Sequence, residues 1–203
     1  MKGLFISFEG GEGSGKSTAI SLIKERLVNE GYNVEVTREP GGVAVSEQIR
    51  DVILDINNNM CKETEALLYA ASRVEHLYKK VIPLLEEGYI VISDRYIDSS
   101  LAYQGFARNI GVDRILEINR FALDYMPKVT YFFDVKPEIG LARIKGRDKI
   151  DRLDLEEMAF HQSVYDGYVE IAKMYPKRIK TINGLASIDD IVNEIYLDIK
   201  GRL

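Results

Sequence analysis

The sequence predicts an α/β fold in which a five-stranded parallel sheet carries helices on both faces. Two observations lead to this class. Strand and helix patterns alternate five times along the 203 residues, and that alternation is typical of a parallel sheet. The chain also has no linker-like shift in composition, and its length suits one domain. We therefore expect residues 1–203 to form a single domain.

Five short apolar runs are the predicted strands. The first is too short for the apolar part of a signal peptide, and a glycine-rich loop follows it at once. The third is apolar enough to be buried on both faces of a sheet. The predicted strands are Gly3–Phe8, Asn33–Thr37, Tyr89–Ser93, Val129–Val135 and Ile179–Asn183.

The segments between the strands have helical periodicity and terminal signals. In the first helix, apolar residues recur at i, i+3 and i+7, and a glycine follows its end. Ser46, Thr64 and Ser187 are predicted N-caps, and Pro137 suits a first helical turn. The predicted helices are Lys16–Asn29, a short helix after Ser46, Thr64 to about Ile82, Val112–Leu123, a helix from Pro137, Leu155–Tyr175, and a last helix after Ser187.

The composition favours a soluble globular protein and excludes several other classes. Hydrophobic residues make up 46% and charged residues 29%, which rules out a disordered chain or a disulfide scaffold. The lone cysteine, Cys61, cannot form an intrachain disulfide and indicates a reducing compartment, so we expect a cytoplasmic protein. The net charge of −5 makes nucleic acids and anionic membranes poor partners. No apolar run approaches the length of a membrane span.

A glycine-rich loop after the first strand matches the phosphate-loop pattern G-x-x-x-x-G-K-[ST]. Its backbone N–H groups are expected to cradle phosphate oxygens, with Lys16 at the β- and γ-phosphates and the Ser17 hydroxyl on Mg²⁺. The predicted ligand is therefore a nucleotide such as ATP with Mg²⁺. The chain lacks an N-K-x-D base-reading motif, so a small nucleotide kinase suits it better than a guanine switch protein. The loop residues expected to bind the nucleotide are Gly10, Gly11, Glu12, Gly13, Ser14, Gly15, Lys16, Ser17 and Thr18.

Two arginines follow neighbouring strands at the edge of the sheet where the phosphate loop lies. Arg38 comes directly after the second strand and Arg95 after the third. Ligands of open α/β sheets bind at this edge, and arginine offers a two-pronged donor for a second phosphate. On the third predicted helix, Tyr69 and Arg73 are four residues apart and share a face, which suits a nucleobase. A helix-rim pair with a solvated charge is the simpler interpretation of these two residues alone. The apolar face of the same helix is formed by Leu67, Ala71, Val74 and Tyr78.

Taken together, these segments resemble the thymidylate kinases. The motifs lie in family order, and the match covers most of the chain. They are FEGGEGSGKST at 8–18, TREPGG at 37–42, LLYAASR at 67–73, DRY at 94–96 and SSLAYQG at 99–105. The resemblance implies a P-loop kinase fold with a short lid and a homodimer. It also implies transfer of a phosphoryl group from Mg-ATP to dTMP.

The resemblance also assigns roles around the acceptor dTMP. It implies that Arg38 and Arg95 hold the dTMP phosphate and that Glu12 accepts a hydrogen bond from the sugar 3′-hydroxyl. Tyr69, at a position where the family usually has Phe, would stack on thymine, and Arg73 would donate to a thymine carbonyl. The remaining implied contacts are Ser100 and Gln104 on the base edge, Tyr103 against a ribose 2′-hydroxyl, Asp94 near Mg²⁺, and Arg50 lining the pocket.

The charged stretch at about residues 145–154 is the predicted lid. The phosphate loop has no arginine, whereas this stretch has Arg147 and Arg152. The resemblance therefore implies a lid-arginine type of enzyme, in which both side chains close over the ATP phosphates. Without the resemblance, a solvated charged loop is the simpler interpretation.

Two alternative functions stay open at this level. One is a small kinase for another monophosphate, and the other is a nucleotide-binding regulator without turnover. His76 and His161 lack the spacing of metal ligands and are expected to be structural.

Overall fold

The computed structural model describes residues 3–146 and 151–203. Its strands form one five-stranded, fully parallel sheet in the order β2-β3-β1-β4-β5, which confirms the predicted fold class. The strands are β1 (Leu4–Glu9), β2 (Val34–Arg38), β3 (Ile90–Asp94), β4 (Val129–Asp134) and β5 (Ile179–Asn183).

The helices lie between the strands in the expected alternation. They are α1 (Lys16–Asn29), α2 (Ala44–Leu54), α3 (Lys62–His76), α4 (Ile82–Glu86), α5 (Ile97–Ser100), α6 (Val112–Ile118), α7 (Pro137–Ile144), α8 (Met158–Met174) and α9 (Ile188–Lys200). Two π-helical segments, Leu77–Val81 and Leu101–Ala107, continue α3 and α5, and a 3-10 segment, Arg120–Tyr125, follows α6. None of the helices described is both long and apolar enough to cross a membrane.

Side chains of the inner strands alternate between two separate cores. Ile6 and Phe8 of β1 pack with α1 and α9 on one face of the sheet. Phe5 of the same strand packs on the other face beside Val91 of β3. This period-2 alternation between two apolar layers explains why the inner strands read as continuous apolar runs.

Two of the predicted helix N-caps are wrong. Val43 precedes α2, and the Ser46 hydroxyl is buried inside the helix, where it donates to the Ser72 carbonyl at 2.8 Å. Cys61 precedes α3, so Thr64 lies within its first turn. Ser187 does cap α9, accepting a hydrogen bond from the Asp190 N–H.

The apolar face of α3 and its continuation is not the buried one. Leu67 and Tyr78 are 55% and 48% exposed, whereas Arg73 and His76 are almost fully buried. The buried face of α3 carries polar side chains that bond the loop after β2, so hydrophobic periodicity alone indicated the opposite face. A stripe of apolar residues is therefore left at the surface.

The chain after β3 is helical where no helix was predicted. Residues Ile97–Ala107 form α5 and its π-helical continuation, which packs against α8. Its buried side chains mix the polar Asp98, Ser100 and Gln104 with the apolar Ile97 and Leu101, so the sequence shows no clear separation of a polar and an apolar face. Two predicted helices are shorter than expected, since α6 ends at Ile118 and α8 begins at Met158.

Candidate active site at the carboxyl edge of the sheet

A cavity of about 640 Å³ opens where the strands end. The loops after β1, β2 and β3 supply its polar wall, because parallel strands all present their carboxyl ends on this edge. The structure brings almost all of the predicted site residues to it. Those lining the cavity are Glu12, Gly13, Ser14, Gly15, Lys16, Ser17, Thr18, Arg38, Arg50, Tyr69, Arg73, Asp94, Arg95, Ser100, Tyr103 and Gln104.

The phosphate loop wraps around its own lysine. Lys16 Nζ donates to the carbonyl oxygens of Gly10 and Gly11 at 3.0 and 2.9 Å, so these two glycines support the lysine rather than line the cavity. Gly13 has φ +66° and packs directly on α7, where a Cβ would lie 2.0 Å from the Gly140 carbonyl oxygen. Close packing of the backbone therefore requires a glycine here.

Burial lowers the pKa of Lys16 to about 8, and the nearby charge of Arg95 adds to this shift. Removing the ammonium from water disfavours its charged form. A bound polyphosphate would supply the missing negative charge, so the loop is arranged for an anion.

Ser17 and Asp94 form the candidate Mg²⁺ site. The Ser17 hydroxyl donates to Asp94 Oδ2 at 3.3 Å across the cavity. A hydroxyl and a carboxylate are oxygen ligands of the kind that Mg²⁺ prefers, so these residues fit the ion. Elsewhere in the described residues, no group of three or more His, Cys, Asp or Glu side chains could hold a metal.

Arg95 occupies the centre of the site. It has a positive φ of 73°, which is uncommon for a residue with a side chain. Its guanidinium pairs with Glu12, donates to the Gly10 carbonyl oxygen at 3.0 Å and lies 5.2 Å from the Tyr103 ring centroid. The structure thus joins the phosphate loop and the predicted acceptor site through one side chain.

Behind Arg95 lies Glu9, a carboxylate that sequence reasoning missed. Glu9 is fully buried and accepts hydrogen bonds from the Tyr96 N–H and from the hydroxyls of Ser99 and Tyr168, at 2.7, 2.6 and 3.0 Å. Burial raises the pKa of Glu9 to about 7, and the charge of Asp98 acts in the same direction. No sequence signal separates this residue from an ordinary end of a strand.

Arg38 and Arg50 line the acceptor side next to the loop after β2. Arg38 pairs with Glu47 at 2.8 Å and is half exposed. Arg50 donates to the Pro40 carbonyl oxygen at 2.9 Å, which places the guanidinium beside the same loop. Both cations therefore line the cavity beside the loop after β2.

The predicted base side is more enclosed. Arg73 is 1% exposed, and its Nε donates to Glu39 at 2.7 Å while Nη2 donates to Ser100 at 3.0 Å. The other oxygen of the Glu39 carboxylate accepts a hydrogen bond from His76 Nδ1, 2.9 Å away, and His76 Nε2 lies 2.7 Å from the Thr37 hydroxyl oxygen. His76 is thus part of a buried network that holds the loop after β2 against α3.

The two lid arginines have different outcomes. Arg147 lies outside the described residues. Arg152 donates to the Ile53 carbonyl oxygen at 2.9 Å and to Glu65 at 2.5 Å. Arg152 is not among the described residues that line the cavity. Its catalytic role therefore stays a prediction. Arg143 of α7, which sequence reasoning missed, does line the cavity and donates to the Gly13 carbonyl oxygen at 3.3 Å.

The fold and this site together define a nucleotide kinase of the phosphate-loop class. Comparison with known proteins gives the family. A family model described as thymidylate kinase matches residues 8–195. The thymidylate kinase of Clostridium novyi is 50% identical over 198 residues, covering 96% of this chain and 97% of the relative. That of Bacillus velezensis is 54% identical over 187 residues, covering 90% and 88%.

A solved structure agrees with these relatives. The crystal structure of thymidylate kinase from Ehrlichia chaffeensis is 32% identical and superposes with a TM-score of 0.81, covering 98% of this chain and 99% of that one. This chain belongs to the thymidylate kinase family.

Proposed function

We propose that the chain transfers the γ-phosphoryl group of Mg-ATP to dTMP in the cavity described above. Its family is one of kinases that convert dTMP to dTDP, and Lys16, Arg38 and Arg95 all line the cavity. The observation that carries the proposal is the position of Arg95, which reaches both the phosphate loop and the acceptor side.

The donor nucleotide would occupy the phosphate loop. Lys16 would contact the β- and γ-phosphates, and Ser17 with Asp94 would hold Mg²⁺, directly or through water. The ion, when bound, neutralises charge on the phosphates. Arg143 extends this wall beyond Gly13, and the lid arginines Arg147 and Arg152 would add charge over the transferred group.

The acceptor would lie between the loops after β2 and β3. Arg38 and Arg95 would hold its phosphate, Glu12 its 3′-hydroxyl, and Tyr69 with Arg73 its base. The dTMP phosphate is already ionised, so the reaction needs alignment and charge neutralisation more than a strong base. Tyr103 is 6% exposed and packs beside Arg95, where it would exclude a 2′-hydroxyl.

We further propose a single-domain, cytoplasmic homodimer. The stripe on α3 formed by Leu67, Ala71, Val74 and Tyr78 supports the dimer, because three of these four side chains are exposed. An exposed apolar stripe of this kind is typical of a surface that a second copy covers. The single cysteine and the acidic composition are compatible with the proposed compartment.

The test is ADP release with Mg-ATP across dTMP, dUMP, UMP, dCMP, dGMP and AMP. We expect preference for dTMP and weak turnover of UMP, since UMP carries the 2′-hydroxyl. Preference for another monophosphate would show that the protein is a kinase but would contradict thymine as the base of its acceptor. ATP binding without turnover of any acceptor would favour a nucleotide-binding regulator.

A further inference from the structure

Glu65 is a buried carboxylate of α3 behind the base side of the cavity. It is 1% exposed and accepts hydrogen bonds from three side chains. Gln104 Nε2 lies 2.9 Å from its Oε1, Arg152 Nη2 lies 2.5 Å from its Oε2, and Arg108 bridges both oxygens at 3.3 Å. Burial opposes the charged form of Glu65, but the hydrogen bonds from Gln104 and Arg152 and the charge of Arg108 hold its pKa below the usual value. Glu65 is therefore ionised at neutral pH.

An ionised carboxylate can only accept hydrogen bonds, and this fixes which way the Gln104 amide faces. The NH₂ group of Gln104 must point to Glu65, and its Oε1 is the polar atom left for the cavity, which Gln104 lines. Without such a partner, both orientations of a glutamine amide are open. Gln104 is itself 1% exposed, so the amide has little freedom to turn.

Arg73 supplies the complementary group on the same wall. Its guanidinium only donates, and Ser100 and Glu39 hold it in place at 3.0 and 2.7 Å. The wall therefore offers a donor at Arg73 and an acceptor at Gln104 to the edge of a base.

We infer that Glu65 is a specificity-determining positioning residue that selects a base with a ring N–H beside a carbonyl. It acts through Gln104, whose acceptor oxygen it holds toward the ligand. The inference rests on the proposed function, in which this part of the cavity takes the base of the acceptor nucleotide.

The chemistry of the two pyrimidines gives the direction of selection. Thymine offers N3–H to the Gln104 oxygen and its 4-carbonyl oxygen to Arg73. Cytosine presents a ring acceptor and an amino donor at the same two positions, so both contacts would be mismatched. A buried polar group left without its partner costs about 1–3 kcal/mol, which is roughly a factor of ten or more in affinity.

The variant Glu65→Gln should reverse the hydrogen-bonding preference at the Gln104 contact, where the ring nitrogen of the base is expected. Two guanidinium N–H groups, from Arg152 Nη2 and Arg108 Nη2, donate on the Oε2 side, so the new amide is expected to turn its oxygen there. On the other side it gives up only the 3.3 Å contact from Arg108 Nε. Its NH₂ group would then face Gln104, whose amide would turn over and present NH₂ to the cavity. That wall suits the ring acceptor of cytosine better than the N3–H of thymine.

The experiment measures the dissociation constants of dTMP and dCMP by calorimetry in the wild type and in Glu65→Gln. We expect the ratio of the dCMP constant to the dTMP constant to fall about tenfold or more in the variant, with ATP affinity unchanged. The matched control is Glu156→Gln. Glu156 also pairs with Arg108, at 2.5 Å, but does not contact Gln104, so the ratio should stay at its wild-type value.

An equal loss of both affinities in Glu65→Gln would indicate a merely structural role and would overturn the inference, as would an unchanged ratio. If Glu65→Gln does not fold, as judged by its melting curve, Gln104→Leu is the second test. It removes the amide and should also lower the ratio, and a wild-type ratio there would overturn the inference. A wild type that does not bind dTMP would overturn the proposed function as well, so the two failures are distinguishable.

Discussion

At the scale of single residues, two buried titratable groups hold the centre of the site. Lys16 and Glu9 lie on either side of Arg95, and burial shifts both pKa values toward neutrality. Lys16 is arranged to contact phosphate. Glu9 anchors Ser99 and Tyr168, which in turn contact the Arg95 guanidinium.

The first prediction concerns Glu9 and the pH dependence of stability. Its folded pKa of about 7 lies above the ordinary value of 4.5, so between these pH values the folded state binds more protons than the unfolded state. Stability from this group is therefore fully present below about pH 4.5 and falls as pH rises toward 7. We expect the melting temperature of Glu9→Gln, relative to wild type, to rise from pH 5 to about pH 7 and to level off by pH 8. A constant difference across this range would contradict the shift.

The second prediction concerns Lys16 and nucleotide binding. Because its pKa is about 8 in the free protein, the ammonium is present at pH 7 and is progressively lost above pH 8. We expect the dissociation constant of Mg-ATP to increase about fivefold between pH 8 and pH 9. Lys16→Met should bind more weakly and lose this pH dependence, as measured by calorimetry in matched buffers. The same pH dependence in Lys16→Met would assign it to another group.

At the scale of elements, the loop between β1 and α1 is fixed by its contact with α7. Gly13 and Gly140 pack backbone to backbone, so α7 limits the shape of the phosphate loop from outside. Arg143 of α7 donates to the Gly13 carbonyl oxygen over the same contact. The nucleotide site thus depends on a helix more than 120 residues away in sequence.

The third prediction tests this contact with Gly13→Ala. The added methyl group would meet the Gly140 carbonyl oxygen at 2.0 Å in a backbone with positive φ, so both strain and collision are expected. The control, Gly31→Ala, has φ +90° and no neighbour within 4 Å of the added group. Strain alone costs about 1–2 kcal/mol, or roughly 2–8 °C in melting temperature. We expect Gly13→Ala to lose more than this and also to lose ATP affinity. An equal loss of melting temperature in the two variants would contradict the proposed collision with Gly140.

At the scale of the whole molecule, helices on the two faces of the sheet bury different kinds of side chain. The face of α1 and α9 buries a large apolar core. On the other side, the buried face of α3 is used for the polar network around Arg73, and its apolar stripe is left at the surface. The same helix therefore links the base side of the cavity to the proposed dimer surface.

The fourth prediction follows from this arrangement. Leu67→Glu places a charge in the exposed stripe and should convert a dimer to a monomer, as measured by light scattering after size-exclusion chromatography. The control is Leu197→Glu on α9, which is 66% exposed on the other side of the sheet and should leave the mass unchanged. A wild-type monomer, or a Leu67→Glu dimer, would contradict the proposed surface.

Local patterns in the sequence were sufficient to predict the strands, the phosphate loop and the acceptor arginines. β5 begins and ends where the apolar run does, and α1 spans the predicted residues. Arg38, Arg95 and the loop meet at one edge because parallel strands all end there.

Contacts between distant segments, by contrast, establish which face of α3 is buried, that Ile97–Ala107 is helical, and that Glu9 and Glu65 lie behind the site. Each of these depends on polar groups that are buried because partners from distant segments satisfy them, as Arg73, Gln104 and Arg152 do. Hydrophobic periodicity carries no information about such partners, because a prediction based on it places every charged residue at the surface. The polar core that shapes the site is therefore a property of the folded chain.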